Sequence, residues 1–197
     1  SGGELSSKAP AGSGSRTTFT VRYDVDCPAF AGRPGGLLTG APPCPVDHGG
    51  RRFATAPLET DTEVTGDAIV DLWMSSSAND GNIFVYLEDV ASDGKVTQVT
   101  DARLKASLRA TSRPGYDNYG LPYHRSHRED VRPLKPGEPA RLVFAFLPAS
   151  HLFRAGHRIR IWVAGSDYGV RDRAPVSPAP VVTIHNTPSN PSCISLP

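Results

Sequence analysis

Wherever apolar and polar residues alternate legibly in this chain, the period is two, which sends successive side chains to opposite faces of a β-strand. Residues 157–166 are the clearest case. Ile159, Ile161 and Val163 alternate with Arg158, Arg160 and Trp162, which predicts a half-buried strand with the tryptophan on its open face. Further strands are predicted over 17–25, 52–55, 62–76 with a break at Gly66-Asp67, 83–90, 96–110, 140–147, 181–185 and 192–196. Asp93-Gly94 joins two of them as a hairpin, because that dipeptide accepts the positive φ values of a tight type I′ turn. Residues 140–147 are apolar on both faces, as a central sandwich strand is, and Pro148 stops them. One segment reads differently: 150–155, with Ser150 as a cap, is expected to form a single helical turn.

Composition supports many short elements joined by turns. Glycine and proline number 19 each in 197 residues, with no Gly-X-Y period. They concentrate in two long loops, 27–50 and 112–139. About eight or nine strands with irregular loops predict an all-β fold, a jelly roll or β-sandwich. At 38% hydrophobic residues the chain can bury one core, and its length suits a single domain. The longest apolar stretch, 142–149, falls far short of the roughly 20 residues of a membrane helix, so no membrane partner is expected.

Charge cancels to a net +1, which argues against nucleic acid, whose affinity rests on neutralising the phosphate backbone. The balance is uneven along the chain. Residues 1–100 carry 7 basic and 13 acidic side chains, whereas 101–197 carry 14 and 7. A sandwich interleaves its two halves in space, so mutual neutralisation is expected rather than a bipolar surface.

Little catalytic chemistry is legible. A Gly-x-Ser-x-Gly elbow, which lifts a serine clear of the backbone beside oxyanion donors, does not occur, and six scattered histidines define no triad. His124-x-x-His127 lies on a loop without further ligands at structural-zinc spacing, and the oxygen-rich turn 79–82 reads as turn chemistry rather than a calcium loop. No metal and no cofactor is called for. Cys27 and Cys44 sit in the Pro/Gly-rich segment, where a disulfide would supply a constraint that core packing cannot, stabilising by up to about 3 kcal/mol. With that bridge the protein belongs in an oxidising space and is expected to be secreted; with three free thiols it is cytoplasmic. Cys193 is the odd thiol.

The most functional-looking stretch is 113–132. Tyr116, Tyr119, Tyr123 and His124 are interleaved there with Arg113, Arg125 and Arg128, a surface suited to stacking on sugars, bases or a partner protein. A long surface crossover anchored by tyrosines is the plain structural alternative. Of the two tryptophans, Trp73 between Leu72 and Met74 is expected in the core, and Trp162 is the candidate for an exposed stacking platform.

The order of several short motifs carries a family likeness. Tyr23-Asp24 leads through Pro28 to Gly35-Gly36; Glu63-Val64-Thr65-Gly66 precedes the apolar run 68–74 and the serines 75–77. Asn82-Ile83-Phe84-Val85-Tyr86-Leu87-Glu88-Asp89-Val90 follows, then the Asp93-Gly94 turn and 104–109. Leu134-Lys135-Pro136-Gly137-Glu138-Pro139, Leu147-Pro148 and Phe153-Arg154-Ala155-Gly156-His157-Arg158-Ile159-Arg160 close the series. In this order the chain resembles the C-terminal non-catalytic domain of the X-Pro dipeptidyl-peptidase and cocaine-esterase-like serine hydrolases. Family members commonly have Asp where this chain has Asn82.

The resemblance implies a jelly-roll β-sandwich of the galactose-binding-domain-like kind that packs, in whole enzymes, on an α/β-hydrolase domain carrying the Ser, Asp and His of the triad. It implies that 1–16 is a link from that catalytic domain and 17–197 a single accessory domain, excised or truncated from its parent. Such a domain has no catalysis of its own, stiffens its neighbour, and walls the substrate cleft with loops such as 113–132. It should expose the apolar patch that met the catalytic domain. A free-standing carbohydrate-binding module is the alternative from another class, with Trp162 and the loop tyrosines as its platform.

Overall fold

The computed structural model describes residues 3–23, 50–167 and 175–197. Among these residues every regular element longer than one short turn is a β-strand, as the period of two requires. In chain order they are β1 (Gly3–Glu4), β2 (Ser15–Thr20), β3 (Arg51–Ala54), β4 (Thr62–Gly66), β5 (Ile69–Ser76) and β6 (Asn82–Val90). Then follow β7 (Val96–Lys105), β8 (Ala140–Ala145), β9 (Ala149–Phe153), β10 (Arg158–Ala164), β11 (Val181–Asn186) and β12 (Cys193–Ser195). One five-stranded sheet has the order β1-β3-β10-β6-β7. In the other, β8 lies on one edge of β5, while β12 and β11 follow each other along the opposite edge and β2 flanks β11. β4 and β9 form a separate two-stranded sheet.

The two larger sheets face each other as a β-sandwich. Val70, Leu72 and Met74 of β5 and Leu142 and Phe144 of β8 meet Val85 and Leu87 of β6 and Ile159, Ile161 and Val163 of β10 in one core cluster. Each such side chain contributes roughly 1.5–3 kcal/mol when fully buried, so alternation along these strands sets the fold. The oppositely charged halves of the chain interleave as expected. Arg141 pairs with Asp71, Arg154 with Asp61, Arg160 with Glu88 and Lys105 with Asp80, each a base from the second half on an acid from the first.

Three expectations are corrected. Residues expected as a helical turn from Ser150 form β9, because pairing with β4 outweighs the local cap signal: Thr65 and Ser150 hydroxyls meet at 2.8 Å and Phe153 is fully buried. The open face expected at 158–164 is closed: Trp162 is 1% exposed, stacked on Tyr86 at 4.7 Å with the Arg52 guanidinium 4.5 Å from its ring centroid. Gly50 is needed beside it, since a Cβ there would come within 2.4 Å of the indole Nε1. Trp73 is the half-buried one, on the outer face of β5, while Leu72 and Met74 point inward.

At the start of the chain, Gly3–Glu4 pairs in parallel with β3 and Leu5 packs on the core, so part of the expected link is built into the sandwich. Cys27 and Cys44 lie outside the described residues.

Candidate functional site

The tyrosine-rich loop leaves the sheet after the 3-10 turn Ala106–Leu108 and is tied down along its length. Ser112 and Tyr123 form an isolated antiparallel bridge, which turns the segment between them into a closed projection. At its tip Tyr119 has φ 57, a left-handed conformation rare for a residue with a side chain, and Gly120 follows at φ 76. The Asp117 carboxylate holds this shape by accepting from the Tyr119 N–H at 2.9 Å, and Asn118 Nδ2 donates to the Leu121 carbonyl at 2.6 Å. The result is a Tyr119 ring that is 89% exposed on a backbone fixed by its neighbours. Tyr116, 64% exposed, meets Tyr123 edge-on with centroids 6.0 Å apart.

The other residues singled out in the sequence hold the loop in place. His124 spans two carbonyls, with Nδ1 at 3.1 Å from Ala110 and Nε2 at 3.0 Å from Val143 on β8. Arg125 makes a two-point contact with Asp130 through Nε and Nη2, and this bonding holds the Asp130 carboxyl below its usual range. Asp130 also accepts from the His127 N–H at 3.3 Å, capping the 3-10 turn Arg128–Asp130. Arg132 N donates to Ser107 O at 2.7 Å, closing the loop back onto its base. Tyr116 and Tyr119 are each exposed, Tyr123, His124 and Arg125 hold the loop in place, and Trp162 belongs to the buried layer on β10 and not to this surface.

Two constellations have no sequence signature because their members are far apart in the chain. Ser75 Oγ and His185 Nε2 lie 2.9 Å apart on neighbouring strands, the reach of a nucleophile and its base. Burial, and then the charge of Arg16, lower the His185 pKa, so the ring stays neutral. Yet Ser75 is 7% and His185 6% exposed, so an acyl carbon cannot approach the hydroxyl. Among the described residues no carboxylate bonds the other ring nitrogen, and the pair works as a buried hydrogen bond. The second constellation is Asp89, whose two oxygens each meet an imidazole at 2.8 Å, His151 Nε2 from β9 and His157 Nδ1 from the turn before β10. It fastens the small sheet to the large one. No group of three or more metal-ligating side chains is placed to hold an ion among the described residues.

A β-sandwich of two large sheets with a small third sheet and a braced aromatic loop is the class that fold and site define. Residues 7–194 match the family described as the X-Pro dipeptidyl-peptidase C-terminal non-catalytic domain, and the chain belongs to that family. It is similar to a Mycobacterium bovis protein named as a serine esterase, 42% identical over 147 residues covering 74% of this chain and 23% of that protein. It is similar also to the cocaine esterase of a Rhodococcus species, 27% identical over 159 residues, 74% of this chain and 25% of that one. An α-amino acid ester hydrolase structure superimposes over 100% of this chain and 34% of its own with TM-score 0.78 at 22% identity, a likeness of fold. The chain thus spans about a quarter of the length of the curated relatives it matches.

Proposed function

We propose that this chain is the accessory domain of an α/β-hydrolase with acyl-esterase or X-Pro dipeptidyl-peptidase activity, that it packs on and stiffens the catalytic domain, and that loop 113–132 walls the substrate cleft. The single observation that carries this reading is Tyr119, 89% exposed and held at φ 57 by Asp117. A large aromatic fixed in a costly backbone conformation and left in water gains nothing for the isolated domain. Against a partner surface it is a preorganised anchor, and aromatic anchors carry much of the energy of such contacts.

The test places a photo-crosslinking phenylalanine analogue at position 119 of the full-length parent. Crosslinks to the catalytic domain are expected, and Tyr119→Ala in the parent should alter KM for bulky substrates. Crosslinks to solvent-exposed chain elsewhere, with KM unchanged, overturn the reading. The isolated chain is expected to turn over neither an X-Pro amide nor an activated ester.

Carbohydrate binding is the second reading, and the exposed pair Tyr116 and Tyr119 favours it. With Trp162 buried, its platform reduces to these two rings. Saturable binding on a glycan panel that disappears in Tyr119→Ala would support it.

A further inference from the structure

A cavity of about 80 Å³ opens between the two large sheets, where β1, β12 and the end of β11 meet. Val70 and Leu72 of β5, Val163 of β10 and Ile184 of β11 form its apolar wall. In that wall the side-chain oxygen of Asn186, the last residue of β11, is buried without a hydrogen-bond partner among the described residues. An orphaned acceptor beside an apolar void is a destabilising arrangement unless something fills it.

Water suits the space poorly. A buried water needs about two to four polar partners, and two other polar side chains in the lining, Ser192 and Asp71, are already committed. The Ser192 hydroxyl donates to the His185 carbonyl at 2.6 Å and accepts from the Trp73 N–H at 2.9 Å. The Asp71 carboxylate takes both Arg141 donors, at 2.8 and 2.6 Å. What remains along the apolar wall is the buried Asn186 oxygen, with the Glu4 carboxylate and the Cys193 thiol also in the lining.

We propose that this cavity binds a short branched aliphatic molecule carrying one neutral hydrogen-bond donor, of the size and kind of a three-carbon alcohol. Size follows from comparison with cavities of about 150 Å³ that accept the six heavy atoms of benzene: roughly half that volume holds about three to four. The donor requirement follows from Asn186 Oδ1. Anions are refused, because the Glu4 carboxylate is in the lining and the buried unpartnered atom, Asn186 Oδ1, is an acceptor. This site is separate from the tyrosine loop and stands whether or not that loop meets a hydrolase.

The experiment titrates the isotope-labelled 197-residue chain with isopropanol, acetate and dissolved xenon while methyl and side-chain amide resonances are followed. Xenon and isopropanol should each shift the methyls of Val70, Val163 and Ile184 saturably, isopropanol should also move the Asn186 amide, and acetate, which has the same number of heavy atoms, should do neither. In Asn186→Leu, xenon binding is expected to persist while isopropanol weakens by about five- to ten-fold. Linear, unsaturable shifts with isopropanol, or equal binding of acetate, overturn the proposal. The wild-type comparison of alcohol with carboxylate decides it even if the variant does not fold.

Discussion

The Nε2 of His185 lies 2.9 Å from the Oγ of Ser75, a hydrogen bond between neighbouring strands that burial keeps in its neutral form. Because burial lowers the folded-state pKa of His185, the unfolded chain binds a proton that the folded chain refuses as pH falls below the usual imidazole value of about 6.5. Stability contributed by this residue is therefore complete above that pH and declines as the pH falls toward the folded-state pKa. Urea midpoints measured from pH 7.5 to 5 should decrease, and His185→Phe should flatten that decrease. An unchanged slope in the variant would assign the pH dependence elsewhere.

Asp89 is the hinge between the small sheet and the large one. It is 7% exposed and accepts from His151 and His157 at 2.8 Å each. Asp89→Leu removes both bonds and strands two half-buried imidazoles, at a cost of about 3 kcal/mol. Hydrogen exchange should report the loss first in β4 and β9, whose pairing with each other does not depend on the carboxylate but whose attachment does.

How much of this was legible in the sequence depends on distance along the chain. β10 is written in the alternation of Ile159, Ile161 and Val163, and a hairpin forms at Asp93-Gly94, but of that pair only Gly94 takes a positive φ, 86, so the turn is not the type I′ expected there. Period two says which face a residue takes but not whether that face is covered, and so Trp162 and Trp73 exchange the exposures expected of them. Ser150 as a helix cap is a weak local preference that strand pairing with β4 overrides. Ser75 with His185, and Asp89 with His151 and His157, are separated by 110, 62 and 68 residues, and only the register of the sheets brings them together.

The two aromatic positions are expected to separate cleanly by stability. Trp162→Ala removes a side chain packed between Arg52 and Tyr86 and should cost about 3–5 kcal/mol. Tyr119→Ala, at an exposed loop tip, should change stability by less than about 0.5 kcal/mol, because alanine keeps the Cβ that makes φ 57 costly and removes only an exposed ring. Differential scanning calorimetry of both variants checks this. Comparable losses would mean that Tyr119 packs on its own domain and is not available to a partner.

Cysteine oxidation separates the compartments this domain could occupy. Cys193 is a free thiol on an edge strand, and partial burial followed by the Asp71 charge push its pKa up, so it stays protonated and reacts slowly. We expect Cys27 and Cys44 to be bridged, since a disulfide there closes a Pro/Gly-rich loop whose composition offers few apolar anchors, with a stabilisation of about 3 kcal/mol. Mass spectrometry of peptides from unreduced protein should then show the 27 to 44 link, alkylation should label Cys193 alone, and secretion into an oxidising space follows. Alkylation of Cys27 and Cys44 in fresh, unreduced protein would place the domain in a reducing compartment, where the loop must be held by packing instead.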